Sequence, residues 1–210
     1  SAASDVYKRQ LLGLSRGIDR VNLFIGRCVS WLVLAAVLIS AGNAIVRKLF
    51  NTSSNAWLEV QWYLFGAIVL LGAAAALYRN EHVRVDLIYG AVSDRARLWI
   101  DLFGLIFLLL PFAAYAAWLS WPIFVSSWRI HEMSSNSGGL VRWPAKLLLP
   151  VGFGLLTLQG LSELIKRIAF LMGLIDDPTV KIVEKTPEEE LAEVIRKAEE
   201  EAARSAAKSA

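Results

Sequence analysis

Four stretches of the sequence, residues 28–46, 60–78, 102–128 and 147–162, contain no Asp, Glu, Lys or Arg. A hydrocarbon core of roughly 30 Å is crossed by about 20 helical residues. The first two stretches, 19 residues each, meet that length nearly as they stand. The third has 27 residues and includes Pro111 and Pro122, so it must tilt, kink or emerge early. The fourth has 16, and reaches 23 over residues 143–165 if Lys146 snorkels toward headgroups and Glu163 lies near the opposite interface. Membrane strands need only about 10 residues, so these lengths specify helices and not a barrel. A soluble bundle would place polar residues every third or fourth position on an exposed face, and residues 105–117 show no such face. The 56% hydrophobic content and mean hydropathy of +0.48 agree with lipid as the main solvent. Trp31, Trp57, Trp62, Trp99, Trp128 and Trp143 cluster toward the ends of the stretches, where an indole keeps its N–H wet.

The fold class expected is therefore an all-α integral membrane protein with four transmembrane helices, at about 26–46, 57–78, 99–125 and 144–166 within a domain of residues 22–175. Of the 22 basic residues, 17 fall in the N-terminal segment, the loop after the second span and the C-terminal segment, which places both termini in the cytoplasm. The first span has a basic leader and no small-residue cleavage site, so it reads as a retained anchor. Residues 1–21 form a cytoplasmic amphipathic segment in which Leu11, Leu14, Ile18 and Val21 recur at helical spacing beside Lys8, Arg9, Arg16 and Arg20, the pattern of a helix on the membrane surface. Residues 176–210 are a soluble cytoplasmic tail, where Thr186, Pro187 and Glu189 fit a helix N-cap, N1 proline and capping-box acid.

The net charge of +3 and pI near 9.1 do not mark a nucleic-acid partner, because the basic residues flank apolar runs and form no patch. The single cysteine, Cys28, excludes an internal disulfide framework. His82 and His131 fall in loops on opposite membrane faces and cannot jointly ligate one buried haem. No P-loop, HExxH, CxxC or Gly-rich dinucleotide turn is present, so neither an enzyme nor a cofactor site is expected. Asn43, Gln61 and Gln159 are the main polar residues within helices, and interhelical hydrogen bonds worth about 0.6 to 2 kcal/mol account for them.

Two loop strings are more distinctive. Asn80-Glu81-His82-Val83-Arg84-Val85-Asp86 closes the second span, and its alternation of Val with charge suggests an ordered connection. On the other side, Gly138-Gly139-Leu140-Val141-Arg142-Trp143-Pro144-Ala145-Lys146 supplies a turn and a proline for the first turn of the fourth helix. With Trp57-Leu58-Glu59-Val60-Gln61-Trp62 and Leu149-Pro150-Val151-Gly152-Phe153, these strings occur in an order across four spans that resembles the small, DctQ-type membrane subunit of tripartite ATP-independent periplasmic (TRAP) transporters. The resemblance covers roughly residues 19–177, and the last segment, continuing through Gln159 and Glu163, looks like the branch labelled mannitol/chloroaromatic-type. The family often has Gly where this chain has Asn80, which bears on the tightness of that turn.

The resemblance implies a bacterial inner-membrane complex in which a periplasmic substrate-binding protein delivers an organic anion to a large membrane subunit driven by sodium. The small subunit is then a scaffold, or stator, with no sodium or substrate site of its own. Candidate interface or structural residues are Glu59, Trp62, His82, Arg84, Asp86, Gly138, Gly139, Arg142, Trp143, Gln159 and Glu163. Small residues such as Gly72, Gly152 and Gly160 permit close helix approach, either to the large subunit or within this one. Two other classes remain open to the sequence: a membrane anchor of an unrelated complex, and an independent carrier or channel lined by Asn43, Gln61 and Gln159.

Overall fold

The computed structural model describes residues 2–51, 54–79 and 94–175. These residues belong to the first of two compact units, which ends at residue 179. The string holding His82, Arg84 and Asp86, and the tail helix expected from Thr186, lie outside the described residues. The described chain is helical, with α1 at Ala2–Phe50, α2 at Asn55–Tyr78, α3 at Asp94–Phe103, a π-helical turn at Gly104–Leu109, α4 at Leu110–Arg129 and α5 at Trp143–Leu171. Four rods, Gln10–Phe50, Asn55–Tyr78, Ala96–Arg129 and Trp143–Leu171, are long and apolar enough to cross a membrane. The chain is an all-α, four-span membrane protein, and α5 is its central helix, packed on α1, α2 and α4.

The interior is the inverse of a soluble core. The largest fully buried side chains are polar: Gln159, Asn22, Ser15, Ser127 and Ser162. Trp31, Phe65, Phe107, Phe112 and Trp118 are instead exposed, as lipid or a partner protein permits. Lipid tails are as apolar as Leu and give no hydrophobic drive to bury it, so hydrogen bonds and close backbone contact hold the helices.

The N-terminal segment shows this inversion directly. A boundary near residue 21 has no counterpart as a helix break, because α1 runs unbroken for 49 residues, about 73 Å. Leu11, Leu14 and Val21 face outward, whereas Ser15, Asp19, Asn22 and Val29 are buried. With Gly26 these residues follow a spacing of four and three, a single seam along the helix. At Gly26 a Cβ would stand 2.6 Å from that of Ala75, so only glycine allows this approach of α1 to α2. Beyond Val29 almost every α1 side chain is exposed or half-exposed.

The two prolines of the third rod leave it helical through to Arg129. In α register the ring of Pro111 would press on the carbonyl four residues back, and Pro has no N–H to donate. The turn before it widens instead, and Leu110 donates to the Leu105 carbonyl five residues earlier. Among the small residues of α5, Gly152 lies against the Leu70 backbone and Gly160 against Leu109 and Leu110, so both serve packing within this chain.

Gly152 and Gly154 provide a matched test. A Cβ at Gly152 would lie 2.7 Å from Leu70 Cβ and 2.9 Å from its carbonyl oxygen, while Gly154 has nothing within 4 Å. Gly152→Leu is expected to cost about 1–3 kcal/mol and to lower the thermal midpoint in detergent, and Gly154→Leu to leave it nearly unchanged.

Candidate functional site

The up-and-down path of the helices gathers polar residues at two ends. At the first, α2 begins, α4 finishes and α5 starts. Residues 55, 59 and 63 recur every four positions and share one face of α2, which clasps the loop between α4 and α5. Asn55 donates to the Ser137 carbonyl at 2.8 Å and the Tyr63 hydroxyl to the Val141 carbonyl at 3.1 Å. Between them, the Glu59 carboxylate accepts from the Ser134 hydroxyl, from Asn136 at 3.0 Å and from the Leu140 backbone N–H at 2.6 Å.

The loop is closed on itself by backbone bonds from Ser134 to Leu140 at 2.9 Å and from Arg142 to Glu132 at 2.8 Å. Gly138 has a φ of +69°, which disfavours side chains. At Gly139 a Cβ would collide with Ser134 at 2.5 Å and with the Glu59 carboxylate at 2.8 Å. Thus the paired glycines make room for the carboxylate as well as the turn. Glu132, outside the spans, binds Lys146 and stands 3.8 Å from Arg142. The Lys146 ammonium, with help from Arg142, holds the Glu132 carboxyl below its ordinary value. Trp143 meets Trp128 edge-on at 4.4 Å, and Trp62 is 79% exposed.

At the opposite end all four rods converge. Gln159, fully buried, accepts from Asn22 at 2.8 Å and donates to Asp19 at 2.9 Å and Glu163 at 3.1 Å. The Ser162 hydroxyl donates to Asp19 at 2.7 Å and lies 2.7 Å from the Ser15 hydroxyl. Lys166 sits between Asp19, at 3.2 Å, and Glu163, with its ammonium 4.7 Å from the ring centre of Tyr78. Arg167 bridges Glu163 at 3.1 Å and Asp101 at 3.2 Å, joining α5 to α3.

The structure thus brings Glu59, Trp62, Gly138, Gly139, Arg142 and Trp143 together at one end and places Gln159 and Glu163 at the other. Sequence reasoning passed over Ser15, Asp19, Asn22, Asp101, Ser162, Lys166 and Arg167. The available signal was that residues 15, 19 and 22 and residues 159, 162, 163 and 166 each fall on one helix face. Asn43 lies 21 positions beyond Asn22, the partner of Gln159, or about 30 Å along α1, so Asn43 and Gln159 do not share one constriction. Among the described residues no group of three or more His, Cys, Asp or Glu is placed to hold a metal ion. The chemistry these residues offer is fastening.

Arg167→Met removes the guanidinium that joins Glu163 to Asp101, while Glu163 keeps Lys166 and Gln159, and is expected to cost about 1.5–3 kcal/mol in mixed-micelle unfolding. Arg16→Gln, whose exposed side chain bonds only within its own helix turn among the contacts shown, is expected to stay within about 0.5 kcal/mol.

The model of the family described as "Tripartite ATP-independent periplasmic transporters, DctQ component" matches residues 36–170. No curated protein and no solved structure matches the chain. The family match takes in α2 to α4, nearly all of α5, and the loop clasped by Glu59, but begins after Ser15, Asp19 and Asn22. Four apolar rods fastened at their ends agree with a membrane component of a transporter, and a match over well more than half of the sequence shows that the chain belongs to the DctQ component family of tripartite ATP-independent periplasmic transporters.

Proposed function

We propose that this small TRAP subunit is the stator of a sodium-coupled importer: it holds a large translocating subunit in the bilayer and moves no solute itself. One observation carries the reading. The buried charged side chains of the described residues gather at the end around Glu163, the carboxylate of Glu59 is occupied at the other, and the spans between are free of charge. An ion or organic-anion route requires polar groups near the middle of the bilayer. Between the two clusters the buried residues include Ala67, Ala113 and Gly152, and the buried Ser120 hydroxyl is spent on carbonyls of its own helix. Helices pinned at both ends also suit an element that stays rigid while a neighbour moves.

The finer parts of the reading rest on sequence. The excess of basic residues on one side supports termini in the cytoplasm of a bacterial inner membrane, with the Glu59 loop facing the periplasm. There it lies on the side from which a periplasmic binding protein delivers its cargo. The mannitol/chloroaromatic-like branch rests on the strings through Glu163, the organic-anion substrate rests on the family resemblance as a whole, and sodium coupling is assigned to the large subunit.

In proteoliposomes the isolated chain is expected to give no uptake, and addition of the large subunit and the binding protein to give sodium-dependent uptake. Uptake by the isolated chain contradicts the stator role.

A further inference from the structure

An open groove of about 490 Å³ lies between the first turns of α2 and the start of α5. Leu58, Trp62 and Tyr63 line it from α2, and Arg142 and Lys146 from the start of α5, with Glu59 at its base. We propose that this groove holds one anionic phospholipid, its phosphate against Arg142 and Lys146 and one acyl chain along Leu58 and Trp62.

The position fits a lipid that lies across the interface. From Asn55 to Tyr63 the groove follows eight residues of α2, about 12 Å, the depth from headgroup to upper acyl chain. The Trp128–Trp143 pair marks the interfacial level beside it. The wall is predominantly apolar, and the indole of Trp62, 79% exposed, is an outer wall and not a core residue.

The donors fit as well. Arg142 and Lys146 line the groove with Glu59, and Glu132 pairs with both cations, so the cluster holds two charges of each sign and offers a phosphate its spare N–H groups; the Glu59 oxygens are turned to Ser134, Asn136 and the Leu140 N–H. The bond shown for Lys146 uses one of its three ammonium protons, on Glu132. Arg142 reaches Ser135 at 3.5 Å and Glu132 at 3.8 Å, so its five-donor fork keeps capacity for a phosphate. The α5 N-terminus has no side-chain cap, and its dipole adds positive potential at the same place. The inference requires only that the chain sits in a bilayer, so it stands or falls separately from the stator role.

The test is native mass spectrometry of the full chain in mixed micelles with equal phosphatidylglycerol and phosphatidylcholine. One retained phosphatidylglycerol is expected, with its preference falling about fivefold for each cation removed in Arg142→Gln and Lys146→Gln. Leu58→Trp fills the groove, leaves both cations and the Glu132 pairs in place, and is expected to abolish retention. Equal retention of the two lipids, or undiminished retention in Leu58→Trp, overturns the proposal. In the assembled transporter, a photo-reactive side chain at position 58 is expected to capture lipid; capture of a protein subunit overturns it as well.

Discussion

The Gln159 side chain depends on a constraint that shapes the whole molecule: in a bilayer, a polar group must find its partners inside the protein. Its amide accepts from Asn22 and donates to Asp19 and Glu163, and around it Ser15, Ser162, Lys166 and Arg167 complete a network between helices. Each member has value only while the others are in place. A hydrophobic face can slide on its neighbour in lipid, but a hydrogen-bonded network cannot slide without breaking. This network therefore sets the register of α1 against α5, and through Tyr78 and Asp101 that of α2 and the third rod.

The other end solves the same problem with backbone. Glu59 supplies two oxygens to a loop whose own N–H and hydroxyl groups converge on it, and Gly139 leaves room for the carboxylate to enter. Between the two ends, contact is made by shape, Gly26 on Ala75 and Gly152 on Leu70. The result is a unit fastened at its ends and smooth in its middle. Much of α1 beyond Val29, with the aromatic faces around Phe112 and Trp118, is left uncovered by the described residues and available to lipid or to a larger subunit.

Much of this was legible in the residues. Charge-free stretches of membrane length gave the four rods, since little else than lipid explains residues 105–117. Gln159 was recognisable as an interhelical hydrogen-bonding residue because an amide within a lipid span needs a partner. The partners were not recognisable, because Asp19 and Asn22 lie in a segment whose charges and apolar stripe resemble a surface helix. That pattern predicts a helix lying apolar side down on a membrane, whereas the structure turns the polar side inward onto α5. Lys166 and Arg167 contribute to the basic bias of the C-terminal segment and are also structural cations, Arg167 buried and Lys166 part-buried. Pro111 and Pro122 announced an irregular third helix, but not that a π turn would absorb the first of them without ending the helix.

The central claim, that this unit is locked and stays locked while transport proceeds, can be tested through Ser15 and Ser162, whose hydroxyls lie 2.7 Å apart. In a Cys28→Ala background, Ser15→Cys with Ser162→Cys should cross-link on oxidation in native membranes. The account expects near-complete cross-linking, with uptake by the reconstituted three-component system unchanged. Failure to cross-link, or a cross-link that arrests uptake, would contradict it.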